Sequence, residues 1–124
     1  MMIKNGRLAN SIDVLNKLTT MDLNIKVSYV VAKNISKIDK ELEIYNKEKS
    51  KLIEKYGEKD EDGKLKIRED GKINIVDLEN WNKDIKELNE IENEIDIHKI
   101  NEEDLFKCNC NITPGELMLV DYML

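Results

Sequence analysis

Histidine, proline, phenylalanine and tryptophan occur once each in these 124 residues, and cysteine twice. With His98 alone there is no Ser/His/Asp order for nucleophilic catalysis, and neither cysteine has a plausible activating partner. The five glycines form no phosphate-cradling loop. No apolar run reaches the roughly 18 residues of a membrane helix, and the start MMIKNGRLANS lacks the apolar stretch of a signal peptide, so a cytoplasmic location is expected. Cys108 and Cys110 stand one residue apart, too close for an ordinary bridge along one strand, and read as reduced thiols. Aromatic residues make up 5% and charged residues 37% of the chain, so much of it must be solvated helix surface.

Charge is present in quantity but divided. Residues 1–56 carry 11 Lys/Arg against 7 Asp/Glu, whereas 57–124 carry 9 against 19, for a total of −6. That total disfavours direct nucleic-acid binding. A basic first arm and an acidic second arm suggest pairing within the chain.

The organising stretch runs from about Asn24 to Tyr56. Ser28, Val31, Ile35, Ile38, Leu42, Tyr45, Lys49, Leu52 and Tyr56 follow a seven-residue count and form a nearly continuous apolar seam. A helix of that span is roughly 45–50 Å long, more than a domain of this size is wide, so part must project. Asp22 is the expected N-cap, and Gly57 the expected stop. Ahead of it, Met2 to Asn5 predicts a short strand, and Arg7 to Leu18 a helix.

Behind it, EKDEDGKLKIREDGKIN predicts a hairpin with Glu69, Asp70 and Gly71 as the loop and Gly71 left-handed. Arg68 then faces Lys72, Ile67 faces Ile73, and Leu65 faces Ile75, which puts the apolar residues on one face. From Asp77 a second arm, carrying Leu78, Trp81, Ile85, Leu88 and Ile95, is expected to fold back on the first. Leu52 then lies near Trp81, Lys49 near Ile85 and Tyr45 near Leu88. Ile95 and Ile97 predict a short strand; Phe106, Cys108, Cys110 and Ile112 predict another. Thr113-Pro114-Gly115-Glu116 is a capping box opening a last helix, Glu116 to Leu124, apolar almost all round and therefore destined for burial or an interface.

The expected fold is α+β, mainly α, in one domain of residues 1–124. A mixed α/β head (1–28 and 95–124) carries a long antiparallel, coiled-coil-like helical hairpin (29–94) with a β-hairpin tip (57–76).

Three clusters invite a chemical reading. Glu58, Asp60, Asp62, Gly63, Leu65 and Glu69 match the calcium-loop spacing if glutamate replaces the first aspartate. The context argues otherwise: Asp70-Gly71 breaks the chain where an exiting helix should start, and Lys66 takes a position that usually offers oxygen. A solvated tip is the simpler reading, and no metal or cofactor is expected. Cys108, Cys110 and His98 offer three soft ligands but lack a fourth, and alternation with Phe106 and Ile112 accounts for the cysteines as packing residues. Glu87, Glu90 and Glu94 at helical spacing read as a hydrated face rather than an acid/base pair. Lys83 and Lys86, interleaved with the acids, weaken a DNA-mimic reading. Trp81 and Tyr56 fall on the seam as core.

IKNGRL near the start, KVSYVVAKNI, KLIEKYGEKDEDGKL, ENEIDIHKI and ITPGEL together resemble a family of small phage and prophage proteins of Gram-positive hosts to which no function is assigned. The KYGEKDEDGK block is the most distinctive. The resemblance implies a phage context and supplies no site residues. The expected function is non-enzymatic: binding of a host or phage protein, with a host-defence component as the target. The alternatives are a virion or assembly accessory protein that self-associates through the C-terminal helix, and an oligomeric sponge for a small signalling molecule.

Overall fold

The computed structural model describes residues 1–108 and 111–124. The chain is mainly helical, in the order β1 (Met2–Lys4), α1 (Asn5–Leu18), α2 (Ile25–Tyr56), α3 (Leu78–Glu90), β2 (Glu92–Glu94), α4 (Glu102–Lys107) and α5 (Pro114–Leu119), closed by a 3₁₀ turn at Asp121–Met123. No described helix is long and apolar enough to cross a membrane.

The two strands form one antiparallel sheet, with Met2 opposite Glu94 and Lys4 opposite Glu92. Ile3 is the buried member. The strand expected to reach Asn5 stops at Lys4, and Asn5 and Gly6 open α1 ahead of the expected start at Arg7. Asn5 donates its backbone N–H to Ile91 O (2.9 Å) and its side-chain amide to Leu88 O (3.0 Å), so tertiary bonds hold the helix start. Gly6 lets α1 lie close to α3, because a Cβ there would come 3.1 Å from Asn89 Cβ. From there Leu8, Ser11, Val14, Leu15 and Leu18 turn one face into the core.

The N-cap of α2 is Asn24 rather than Asp22. Its side chain accepts from Val27 N (3.0 Å) and donates to Asp104 O (3.1 Å), so the same residue caps α2 and fixes α4 beside it. The 32 residues of α2 run about 48 Å at 1.5 Å per residue. Val27, Val31, Asn34, Ile38, Leu42 and Tyr45 are buried at helical spacing, as is Tyr56 at the far end. Gly57 follows in extended conformation, not left-handed. Its missing side chain matters for space: a Cβ would lie 2.5 Å from Ile53 O and 2.6 Å from Leu65 Cδ2.

The tip departs in part from the expected pairing. Ile67 does face Ile73, Arg68 N donates to Lys72 O, and Gly71 is left-handed at φ +81°. Leu65, however, pairs with Lys59, and Ile75 with Gly57. A second turn at Asp60–Gly63 redirects the chain, with Asp60 Oδ1 accepting from Asp62 N and Lys64 N. As a result Ile67 stays exposed while Leu65, Ile73 and Ile75 are half-buried.

Asp77 caps α3 through Asn80 N, but the helix stops at Glu90 instead of reaching Ile95. The strand expected around Ile95 and Ile97 lies earlier, at 92–94, where β1 offers an edge to pair with. Beyond it Ile95, Ile97 and Ile100 are buried on an extended segment outside the sheet, bonded at its ends by Ile95 N to Met1 O and by Ile100 N to Met123 O.

That segment is served by α2. Asn34, fully buried, donates to His98 O and accepts from His98 N, both at 2.9 Å. One turn on, Lys37 Nζ reaches Asp96 O (2.8 Å), Asp96 Oδ2 (3.2 Å) and His98 Nε2 (3.1 Å). The Lys37 ammonium holds the Asp96 carboxyl below the usual aspartate range.

The strand expected across Phe106, Cys108, Cys110 and Ile112 does not form at its start, since Glu102–Lys107 is helical. Asn101 accepts from Glu103 N and Asp104 N, three acids occupy the first turn and Lys107 the last, and these local bonds outweigh the alternating pattern. Phe106 is 67% exposed. Cys110 lies outside the described residues.

Thr113, Pro114 and Glu116 form the capping box foreseen. The final helix is shorter than expected: α5 ends at Leu119, and Val120 leaves helical geometry at φ −118°. The following 3₁₀ turn has three residues per turn, which brings Val120 and Met123 to one side, where both are buried. Tyr122 stacks under the Arg7 guanidinium (5.0 Å to the ring centroid) and meets Ser11 Oγ at 2.6 Å. Arg7 also pairs with Asp121. Met118, in contrast, is 71% exposed, so the last helix is only partly taken into the core.

Two predictions follow from the head. Replacing Asn34 by Leu strands one N–H and one C=O of His98 in the core, an expected loss of about 2–4 kcal/mol in urea denaturation. A loss under about 0.5 kcal/mol would show that the amide clamp carries no weight. Glu116 accepts from Lys17 Nζ at 2.8 and 2.9 Å, and Lys17, with the Thr113 N–H, depresses its pKa. A depressed carboxyl contributes stability above its unfolded pKa and loses it as pH falls through the folded one. Below the ordinary glutamate value of 4.5 the melting midpoint of wild type should therefore fall more steeply than that of Glu116→Gln; parallel curves would exclude the contribution.

Candidate functional site

Where α2 leaves the head, α3 runs back along it. The contacts are aromatic and polar rather than ionic: Tyr45 OH donates to Asn89 Oδ1 (2.7 Å), Tyr56 OH donates to Asp84 Oδ2 (2.6 Å), and Tyr56 meets Trp81 edge-on at 6.3 Å. Increasing number on one helix meets decreasing number on the other, so the two are antiparallel. Burial raises the Tyr45 pKa, and the bond to the Asp84 carboxylate raises that of Tyr56, so both hydroxyls stay protonated as donors.

Among the described residues no ion pair joins α2 to α3. The complementary charges of the two halves meet in the head, as Arg7–Asp121, Lys17–Glu116, Lys37–Asp96 and the Met1 amine with Glu94. Asp84 accepts the Tyr56 hydroxyl, and none of the acids within α3 has an ion-pair partner among the described residues.

Side chains of α2 and α3 enclose two grooves on opposite sides of the pair. One, about 430 Å³, is lined by Glu48, Leu52, Asp84, Glu87, Leu88 and Ile91. It continues toward the head past Glu41, Ile44 and Tyr45. Its walls carry four carboxylates and no lysine or arginine. Ile44 is 70% exposed and Ile91 52%. The other groove, about 360 Å³, lies against the tip between Lys49, Ile53, Lys72, Ile73, Ile75 and Trp81. The pair of helices is thus acid-rimmed on one side and base-rimmed on the other.

The residues singled out from sequence scatter. Glu58 accepts from Asn74 and faces Lys66, Asp60 is occupied by turn N–H groups, and Glu69 is exposed in the next turn. No three His, Cys, Asp or Glu side chains among the described residues are grouped so as to hold a metal. His98 packs on Lys37, whereas the Cys108 thiol donates to Asp104 O (3.2 Å). Glu87 lines the acidic groove, Glu90 ends α3, and Glu94 sits on β2 beside the Met1 amine, so the three do not share one helix face. Tyr56 is buried and Trp81 half-buried.

Residues not anticipated are Asn34, Asn5 and Ser11, the three buried polar side chains among those described, and the exposed Ile44 and Ile91. Asn34 left a signal: it stands between Val31 and Ile38 at core spacing. Ile44 was hidden because it lies one position off the seam. No protein-family model, curated protein or solved structure matches the chain.

With Glu58 and Asp60 engaged inside the tip and Glu69 in a separate turn, calcium in millimolar excess should leave the melting midpoint unmoved. An upward shift abolished by Asp60→Asn would restore the cation site.

Proposed function

We propose that this chain is a phage-encoded, non-enzymatic protein-binding protein. It acts in the host cytoplasm, and its target is a host-defence component. The antiparallel arms serve as a coiled-coil-like projection that presents the binding surface away from the head. The observation that carries this reading is the groove between α2 and α3, where exposed Ile44 and Ile91 lie among four carboxylates, of which Glu41 and Glu87 have no ion-pair partner among the described residues. The phage context rests on the sequence motifs.

A second reading, an assembly accessory protein that self-associates, draws on the head. There Phe106, Met118 and Leu119 are exposed, and Phe106 borders a small cleft lined by Leu105, Ile112 and Leu117. That apolar surface is the natural contact of a homo-oligomer.

Mass measured in solution and capture from infected host lysate separate the two. The inhibitor reading expects a host protein, captured specifically and in stoichiometric amount; recovery of virion proteins alone would overturn it. A stable monomer at micromolar concentration would count against assembly.

A further inference from the structure

We infer that the groove bearing Ile44 and Ile91 receives an amphipathic helix of the partner, with lysine or arginine flanking an apolar stripe. The inference rests on the protein-binding reading above and specifies its site and the chemistry of its ligand.

Shape is the first argument. Glu41, Ile44, Glu48 and Leu52 recur at helical spacing along α2, and Asp84, Glu87, Leu88 and Ile91 along α3. The α2 stripe covers about three turns, roughly 16 Å, and the α3 stripe beside it about two, roughly 10 Å. Two antiparallel helices with an apolar trough between them accept a third helix by ridges-into-grooves packing.

Burial supplies the second. Leu88 at the floor is buried and Leu52 half-buried, but Ile44 and Ile91, on the two lips, leave most of their surface in water. Covering them is favourable by about 25 cal/mol per Å² of apolar area. The base-rimmed groove across the pair differs in its walls, one of which is built by tip residues Lys72, Ile73 and Ile75.

Charge decides the occupant. Glu48 is shared with Lys51 and Asp84 takes the Tyr56 hydroxyl, whereas Glu41 and Glu87 have no ion-pair partner among the described residues. Flanking cations on an incoming helix would meet these two carboxylates on opposite lips, and an acidic helix would be repelled.

The probe is a labelled amphipathic peptide of about 14 leucines and lysines at helical spacing, read by fluorescence anisotropy against the full chain, beside its glutamate-for-lysine counterpart. Binding should be confined to the lysine peptide. It should weaken about tenfold in Ile44→Ser and in Glu87→Lys, and be unchanged in Lys72→Glu on the opposite face. Both lip residues are exposed, and a thermal melt verifies that the variants fold. Equal binding to wild type and both lip variants, or loss in Lys72→Glu alone, overturns the inference. So does a self-dimer that Ile44→Ser dissociates, because a second copy then fills the groove. In lysate capture, a partner retained by the Ile44→Ser/Glu87→Lys double variant overturns the groove while leaving protein binding intact. Failure of wild type to retain any partner overturns protein binding itself, and the peptide titration then still decides what the groove accepts.

Discussion

The Asn34 side chain is the constraint on which the head depends. Residues 95–100 lie extended along the core, with Ile95, Ile97 and Ile100 buried; Ile95 N bonds Met1 O and Ile100 N bonds Met123 O, and between these ends the backbone of His98 is held by a side chain. A carboxamide sets N–H donors and a carbonyl acceptor in one plane, matching the C=O and N–H that a single extended residue presents on one side. Asn34 makes both bonds to His98 from within the seam of α2, and Lys37, three residues on, ties down the segment next to it. Asn5 at the end of α3 and Ser11 against Tyr122 repeat the device elsewhere. Each of the buried polar side chains thus fastens a helix to a distant part of the chain, giving a small aliphatic core a single register.

Much of the fold was legible where local chemistry and periodicity agree. The long α2, the Asp77 cap, the Thr113–Glu116 capping box and the left-handed Gly71 follow from residues within a few positions of each other. The misreadings fall where distant contacts or competing local bonds decide. Asn5-Gly6 has the chemistry of a turn but is drawn into α1 by Leu88 and Ile91. The alternation from Phe106 onward is real but is outweighed at its start by Asn101 and three acids. Val120 breaks the last helix because Tyr122 and Met123 must both reach the core. Leu88 and Ile91 lie far from Asn5 in sequence, whereas the bonds at Asn101 are local but of a kind that alternation does not register.

The candidate site was less legible than the fold. The charge asymmetry between the two halves was visible, but its use was not. Cations of the first half meet acids of the second in the head, and among the described residues no ion pair joins α2 to α3. Ile44 and Ile91 become meaningful only when two helices set them on either side of one trough.

The tyrosine rungs carry a consequence for motion. Between Tyr45 and Tyr56 no residue of α2 is fully buried, and α3 contributes Leu88 alone, close to the head. Amide hydrogens in this outer span exchange through local opening, at a free energy well below that of global unfolding. The outer arms can therefore breathe against an anchored base, pivoting near Tyr45.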